Sequence, residues 1–316
     1  MTQRLAAATL ATVLALAGPL AAFPERPIEI VVPFSAGGGT DLMARIFAEY
    51  LSKELASPVV VLNRAGAGGE VGMSEVAEAT PDGHMLIVIN TPNVLTIPTE
   101  REARFTWESF ALIGTIAEDP GTLSVHADSP IQTIEDLVTA ARADPGTVTY
   151  GTSGVGSAGH IAGLLFEAAA DIELRHIPYS GASDVRTGLL NRDLQVATAN
   201  LGEALTFADG QPWRILGVMT TERVSTAPDL PTFAEAGYPV IGGSLRGIGA
   251  PAGTPDEALK VLRDAMSVVM EDADFIAASE AANVPLRYLD PEAYARELTS
   301  VADSIAALWE ATPWRN

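Results

Sequence analysis

The sequence predicts an α/β protein of two lobes, each a mainly parallel sheet flanked by helices, with a ligand cleft between the lobes. A β-α-β-α-β order over residues 28–93 is typical of such a sheet. The same strand, glycine loop and helix return at residues 148–168. At 316 residues the chain is long enough for two domains. We expect residues 23–122 and 246–316 to form lobe 1 and residues 123–245 to form lobe 2.

The first glycine loop has the properties of an anion site. The apolar residues 28–32 predict a buried strand, and the glycines at 37–39 then allow a sharp turn. Thr40 or Asp41 can cap the helix that follows. The N-terminus of a helix carries unpaired N–H groups and a partial positive charge. The loop is therefore predicted to bind an anion.

The remaining elements follow in chain order. Apolar runs predict further strands at about 59–62, 84–90, 110–116, 123–125, 148–150, 174–178, 194–199 and 215–219. Helical spacing and capping residues predict helices at about 71–79, 133–143, 157–168, 183–191, 254–270 and 291–309. The segment 228–251 is rich in proline and glycine, which suits a crossing back towards lobe 1.

The second glycine loop, residues 151–157, repeats the geometry of the first. It follows the strand at 148–150, and Thr152, Ser153 and Ser157 add neutral hydroxyl donors to its main-chain amides. Ligands of open α/β sheets bind at the carboxyl ends of the strands. We therefore expect the two glycine loops to face one shared cleft.

Composition limits the classes of partner. A formal net charge of −21 and a pI near 4.4 argue against nucleic acid and against anionic membrane surfaces. The chain contains no cysteine, which excludes disulfides and thiolate metal sites, and its four histidines do not pair at metal spacing. We expect no metal and no cofactor. An anionic ligand is not excluded, because donors that line a cleft outweigh distant surface carboxylates.

Residues 1–22 are predicted to be a secretory signal. Arg4 supplies a positive charge, residues 5–20 are apolar, and Ala21 and Ala22 offer a small-residue cleavage site. A transmembrane anchor is the alternative, but the apolar stretch is short for one. We expect cleavage within a few residues of Ala22 and a soluble protein in a bacterial periplasm.

Several of these residues also occur in the motifs of other protein classes. Residues 154–159 match GxGxxG, yet no acidic residue ends the next strand, which disfavours a dinucleotide site. An exported hydrolase would use Ser153 or Ser157 with His160, and no acid stands at a supporting spacing. A sensor that feeds a membrane signalling system remains open, because its ligand cleft would look the same.

The roles of four polar residues stay open at the sequence level. Asp41 is interpreted as a first-turn acid that interacts with the helix dipole. His160 suits packing, capping or ligand contact equally. Asp184 could bind a ligand amine, hold a bridging water or cap its helix. Arg246 could contact the ligand, brace a hinge or pair with an acid.

An ordered set of short motifs spans nearly the whole chain after residue 22. In chain order the motifs are Pro27-Ile28, Val32-Pro33-Phe34, Gly37-Gly38 with Asp41 and Arg45, Asn63 with Gly66-Ala67-Gly68-Gly69 and Gly72, Pro81-Asp82-Gly83, Gly151 with Gly154-Val155-Gly156-Ser157 and His160, Pro178-Tyr179 with Gly181, Pro231-Thr232 with Glu235 and Gly237, Arg246-Gly247-Ile248, Ala250-Pro251 and Gly253-Thr254-Pro255. With these motifs the sequence resembles the periplasmic solute receptors of tripartite tricarboxylate transporters, the Bug-type receptors.

The resemblance implies a type II periplasmic-binding-protein fold and a non-enzymatic receptor. Such a receptor captures a small carboxylate (a dicarboxylate, a tricarboxylate or an aromatic acid) and passes it to the membrane components of its transporter. We expect a monomer that closes about a hinge near Asp119, Pro120 and residues 242–247. The residues expected to contact the ligand are Phe34, Ser35, Ala36, Gly37, Gly38, Gly39, Thr40, Asp41, Asn90, Thr91, Thr152, Ser153, Gly154, Gly156, Ser157, His160, Tyr179 and Asp184.

Overall fold

The computed structural model describes residues 23–314. The predicted signal segment, residues 1–22, lies outside this range. Among the helices of residues 23–314, none combines the length and the apolar character that crossing a membrane requires.

Strands and helices alternate along the described chain. The strands are β1 (Ile28–Val32), β2 (Val59–Asn63), β3 (Met85–Thr91), β4 (Phe110–His126), β5 (Thr149–Thr152), β6 (Arg175–Pro178), β7 (Val196–Asn200), β8 (Trp213–Val218) and β9 (Gly243–Pro251). The helices are α1 (Gly39–Glu54), α2 (Glu70–Ala77), α3 (Asn93–Glu100), α4 (Ile134–Ala143), α5 (Ala158–Ala170), α6 (Ala182–Leu190), α7 (Leu201–Ala208), α8 (Asp256–Glu271), α9 (Ala273–Ala281) and α10 (Pro291–Ala311).

The strands form one curled mixed sheet in the order β2-β1-β3-β9-β4-β7-β5-β6, with β8 also paired to β4. β1 runs parallel to β2 and β3, and β5 runs parallel to β6 and β7. β9 and β4 join the two parallel groups through antiparallel pairings. We use lobe 1 for the part built on β2, β1, β3 and β9, and lobe 2 for the part built on β7, β5, β6 and β8. The residue bounds of the lobes given above stay a prediction.

Each lobe has helices on both faces of its sheet. Side chains of β1 alternate between faces, so Ile30 packs under α1 and α8, whereas Val31 packs under α2, α3 and α10. In lobe 2 the same alternation places Val196 in a core with α4 and α5 and Ala197 in a core with α6. The α/β architecture predicted from the sequence is confirmed.

The connecting strand differs from the prediction of two separate strands at 110–116 and 123–125. β4 is one strand of 17 residues that belongs to both lobes. Its register against β9 shifts between Leu112 and Gly114 and again between Thr115 and Ala117. These bulges bend the strand and allow it to pass from one twisted lobe to the other. Asp119 and Pro120 pair with β9 at the crossing, where we predicted the hinge.

Three helices were not predicted from the sequence. α3 and α7 are only 8 residues long, and each begins within two residues of a strand end, which leaves no loop signal between strand and helix. α9 follows α8 after a single residue, Asp272, whose carboxylate accepts hydrogen bonds from the amides of Asp274 and Phe275.

Candidate functional site

The first glycine loop lies between β1 and α1 and is held in shape by Asp41. The Asp41 carboxylate accepts hydrogen bonds from the Gly37 amide at 2.9 Å and from the Asn63 amide group at 3.0 Å, and it pairs with Arg45 at 2.9 Å. Gly37 has a φ of +83°, which a glycine adopts without strain. Burial raises the pKa of Asp41, but the hydrogen bonds from Arg45, Gly37 and Asn63 outweigh it and lower the pKa below its usual value. Asp41 is therefore an ionised carboxylate that shapes this loop.

The second glycine loop lies between β5 and α5 and is shaped by two histidines. Ser157 caps α5, since its hydroxyl accepts the His160 amide at 3.3 Å. The His160 ring accepts the Gly156 amide at 3.0 Å through Nδ1 and stacks on His176 with 4.0 Å between ring centroids. Thr152 Oγ1 lies 2.7 Å from His176 Nε2. Burial, together with His176, lowers the pKa of His160 to about 3, so the ring is neutral at physiological pH.

The two lobes meet through these loops. Ser35 Oγ donates to the Asp184 carboxylate at 2.6 Å, and Thr96 Oγ1 donates to the Gly156 carbonyl at 2.7 Å. A Cβ atom on Gly154 would lie 2.7 Å from the Cα atom of Gly68, so this approach requires glycine. The structure is therefore a closed form, in which one lobe contacts the other around a small cavity.

The cavity lies between the two glycine loops, at the carboxyl ends of β1, β3, β5 and β7. Its volume is about 40 Å³. At about 10–15 Å³ for each water-sized occupant, this is room for about three water molecules. Of the residues predicted from the sequence, those that line it are Phe34, Ser35, Gly38, Thr40, Asp41, Asn90, Ser153 and Ser157.

The other predicted residues lie behind or beside the lining. They are Ala36, Gly37, Gly39, Thr91, Thr152, Gly154, Gly156, His160, Tyr179 and Asp184. Several of them support the lining: Gly37 bonds to Asp41, and Asp184 holds Ser35. Ligand contact by any of the predicted residues stays a prediction.

Further lining residues were missed at the sequence level. They are Asn93, Gly121, Thr122, Ala158, Gly159, Ala162, Ala182, Thr198, Ala199, Asn200, Glu203, Met219 and Ser244. For Thr198 and Asn200 a signal was present, because two polar side chains alternate with alanine at the carboxyl end of a buried strand. Glu203 gave no such signal, because its place in the cavity depends on α7, a helix that was not predicted.

Main-chain amides from both lobes border the cavity. The N–H groups of Ser35, Gly38 and Ser153 donate to no other atom of the described chain. Ala158 and Gly159 are the first residues of α5, and Ala182 is the first residue of α6. Within the described chain, the N–H groups of these three residues also donate to no other atom. All six residues line the cavity. Helix dipoles add a positive potential at these ends, so the arrangement is suited to a negatively charged group.

A buried cluster of three charged side chains borders the site, and two of them, Glu203 and Arg246, line its cavity. Arg246 is 2% exposed and donates to Asp119 at 3.3 Å and to Glu203 at 2.9 Å. Glu203 also accepts the Gly39 amide of α1 at 3.0 Å. The pKa of Asp119 is raised to about 6. Burial is the main cause and the Glu203 carboxylate adds to it, while Arg246 and the Gly202 amide act in the opposite direction. Of the three roles open for Arg246, the structure shows pairing with acids.

Comparison with known proteins identifies the family. Residues 43–302 match the tripartite tricarboxylate transporter family receptor. The chain belongs to this family. A UPF0065 protein encoded in the tcbD-tcbE intergenic region of Pseudomonas sp. (strain P51) is 34% identical over 270 residues, which cover 82% of this chain and 78% of the relative.

Solved structures agree with the family assignment. The periplasmic binding protein BugD is 28% identical, with a TM-score of 0.86 over 92% of this chain and 98% of BugD. The R. palustris protein Rpa4515, solved with adipate, is 28% identical, with a TM-score of 0.84 over 92% of this chain and 96% of that protein. The resemblance and the two-lobed periplasmic-binding-protein fold that were predicted from the sequence are confirmed.

The tripartite tricarboxylate transporter receptors are periplasmic solute-binding proteins and not enzymes. This assignment removes the hydrolase alternative. The geometry of the second loop agrees, since Ser157 caps a helix and the His160 ring accepts an amide proton, as described above. The chain is a solute-binding receptor of this family.

Proposed function

We propose that this receptor captures a small organic carboxylate between its lobes and delivers it to the membrane components of a tripartite tricarboxylate-type transporter. The observation that carries the proposal is the set of six unpaired amides around one cavity. The adipate in the structure of Rpa4515 supports a carboxylate as the ligand class.

The acidic side chains of the cavity do not prevent an anion from binding. Asp41 and Glu203 line the cavity, but each is paired with an arginine, Arg45 and Arg246 respectively. Arg45 compensates the charge of Asp41. Arg246 is shared between Glu203 and Asp119, and these two carboxylates also accept the main-chain amides of Gly39, Asn200 and Gly202. The remaining acidic groups of the protein act mainly through solvent, where charges are screened within about 8 Å at physiological ionic strength.

The unpaired main-chain amides are numerous enough to bind a carboxylate with the affinity that a receptor needs. Each hydrogen bond to a charged group contributes about 1.5–3 kcal/mol, and each helix N-terminus adds up to about 2 kcal/mol when it is partly buried. After the costs of association and closure, five or six such contacts leave about −8 to −12 kcal/mol, a dissociation constant between micromolar and nanomolar. An ion pair with the ligand is not required.

We further propose that the carboxylate lies nearer to lobe 2 than to lobe 1. In lobe 1 the amides of Gly37 and Gly39 already donate to carboxylates of the protein, those of Asp41 and Glu203. In lobe 2 the first amides of α5 and the Ser153 amide are free to donate. The contacts predicted from the sequence, export to the periplasm through residues 1–22 and a monomeric state belong to the same proposal.

The proposal is tested by ligand identification in two steps. Native mass spectrometry of the purified receptor should show a co-purified acid, and a thermal-shift panel of organic acids should then raise the melting temperature. The amides and esters of the same acids should leave the melting temperature unchanged, because they lack the charge that the unpaired amides stabilise. Amides that stabilise the receptor as well as the acids do would contradict the proposal.

A further inference from the structure

A relay of two asparagines fixes the orientation of Asn90 beside the cavity. Asn93 Nδ2 donates to the Gly68 carbonyl at 2.8 Å, which leaves Asn93 Oδ1 to accept from Asn90 Nδ2 at 2.9 Å. The opposite orientation of Asn93 would place its oxygen against the Gly68 carbonyl. Asn90 must therefore turn its nitrogen towards Asn93 and keep Oδ1 for another partner. Asn90 is 5% exposed, and its Oδ1 has no hydrogen-bond partner in residues 23–314.

Arg246 is fixed in a similar way but offers a donor. One terminal nitrogen donates to Asp119 and the other to Glu203, which sets the plane of the guanidinium. Its Nε–H is buried and has no acceptor within the described chain. A buried donor without a partner costs free energy, so a partner supplied by a ligand gains more here than at an exposed site.

These two unpartnered atoms belong to neighbouring residues on one face of the sheet. Asn90 of β3 and Arg246 of β9 are direct antiparallel partners. Side chains at such positions leave the sheet on the same side, with Cβ atoms about 4.5–5.5 Å apart. Both residues line the cavity between the lobes. The cavity wall thus holds one acceptor and one donor next to each other.

We infer that Asn90 and Arg246 form a subsite for a hydroxyl group, so that the ligand is a hydroxycarboxylate. The inference rests on the proposed function. A hydroxyl can donate its proton to Asn90 Oδ1 and accept from Arg246 Nε–H at the same time. An ammonium group satisfies only the acceptor, because it has no lone pair to accept from Arg246 Nε–H, and leaves that donor unpaired. A carboxylate satisfies only the donor and is repelled by Asn90 Oδ1, and a methylene satisfies neither.

The experiment compares acids that share a carbon skeleton: malate with succinate, 3-hydroxybutyrate with butyrate, and lactate with propionate. Isothermal titration calorimetry on the wild-type receptor gives the ratio of dissociation constants for each pair. At least one hydroxylated acid should bind about tenfold or more tightly than its partner, because a site built to hydrogen-bond a hydroxyl rejects the analogue that lacks it. In Asn90→Ala that ratio should fall to within about threefold.

Two controls separate the subsite from general effects. Met85→Leu changes a residue at the opposite end of β3, away from the cavity lining, and this variant should keep the preference. The methyl ether of the best hydroxy acid accepts a hydrogen bond but cannot donate one to Asn90. It should bind the wild-type receptor no better than the acid without the hydroxyl, and this measurement needs no variant to fold.

Each result has one meaning. A hydroxyl preference that Asn90→Ala removes and Met85→Leu keeps supports the inference. Equal affinities within all pairs, or a preference that survives Asn90→Ala, overturn the inference and leave the proposed carboxylate receptor in place. If no acid of any kind binds, the proposed function fails and the inference fails with it.

Discussion

Glu203 of α7 in lobe 2 accepts a hydrogen bond from the Gly39 amide of α1 in lobe 1 at 3.0 Å. The carboxylate of Glu203 thus occupies a position at the N-terminus of α1 that an anionic ligand would otherwise take. The same carboxylate accepts from Arg246 on β9 and, through its second oxygen, from the Asn200 amide. In the closed form, one side chain of lobe 2 therefore bonds to both α1 and β9 of lobe 1.

Gly39→Ala should weaken closure. A Cβ atom at this position would lie 2.3 Å from Glu203 Cγ, so Glu203 or one of the lobes has to move. Because overpacking typically costs about 1–3 kcal/mol, ligand affinity measured by calorimetry should fall about tenfold or more. Gly38→Ala adds the same methyl group beside the cavity but would meet Ala182 Cβ at 3.5 Å, an ordinary contact, so it reports the effect of a methyl group at the cavity without the clash with Glu203. A Gly39→Ala receptor that binds like the wild type would show that the Glu203 contact does not hold the lobes together.

Ala158→Pro removes one amide donor from the cavity without disturbing α5. Ala158 is the first helical residue, where proline is favoured, and the preceding Ser157 has the extended backbone (φ −68°, ψ 162°) that a following proline needs. Affinity for the carboxylate should fall about tenfold or more, because one hydrogen bond to a charged group is lost. Ala158→Val adds similar bulk and keeps the N–H. Equal affinities of the two variants would mean that this amide does not contact the ligand.

Asp119→Asn should change the pH dependence of stability. The pKa of Asp119 rises from 3.8 to about 6 on folding, so between these values the folded chain binds more protons than the unfolded chain. Asp119 therefore lowers the free energy of unfolding as pH rises from about 4 to about 6. Urea titrations at a series of pH values should show the stability of Asp119→Asn, relative to the wild type, increasing over this window.

A second aspartate gives the opposite sign and serves as control. Hydrogen bonds from the Gln132 amide and from Thr133 lower the pKa of the exposed Asp136. Its contribution to stability is present above the unfolded-state pKa and is lost as pH falls. Asp136→Asn should therefore lose stability relative to the wild type as pH rises through that range. Parallel curves for the two variants would contradict the assigned cause of the Asp119 shift.

Ser35→Ala should accelerate ligand release. The Ser35 hydroxyl joins the lobes at the edge of the cavity through Asp184, at 2.6 Å. A hydrogen bond to a charged group contributes about 1.5–3 kcal/mol, and exposure at the edge reduces this, so we expect a rise in the dissociation rate of about threefold to tenfold. Stopped-flow competition measures it. Ser183→Ala is the control, because the hydroxyl of the neighbouring Ser183 makes no hydrogen bond to lobe 1 in the described chain. An unchanged rate in Ser35→Ala would contradict the prediction.

The architecture could be predicted from the sequence because its signals are local. Each glycine loop follows an apolar run and precedes a capped helix, and the spacing of these features needs no tertiary information. Asp41 could be assigned to its own helix for the same reason, since its partners Gly37 and Arg45 lie within one turn. The α/β order, the two loops and their shared cleft followed from such patterns.

The charged wall of the cavity could not be predicted, because it depends on contacts between distant segments. Asp119, Glu203 and Arg246 come from β4, α7 and β9, and no spacing in the sequence brings them together. The pairing of Asn90 with Arg246 depends in turn on the antiparallel register of β3 and β9. Such residues become visible only when the strand order is known.

In the proposed receptor, main-chain amides, and not cationic side chains, hold a carboxylate between the lobes. A crystal structure of the receptor with its co-purified or best-binding acid tests this most directly. We expect a carboxylate oxygen within about 3.2 Å of the amide nitrogens of Ser153, Ala158 or Gly159. A ligand bound outside the cavity, or a carboxylate held chiefly by the guanidinium of Arg246, would contradict it.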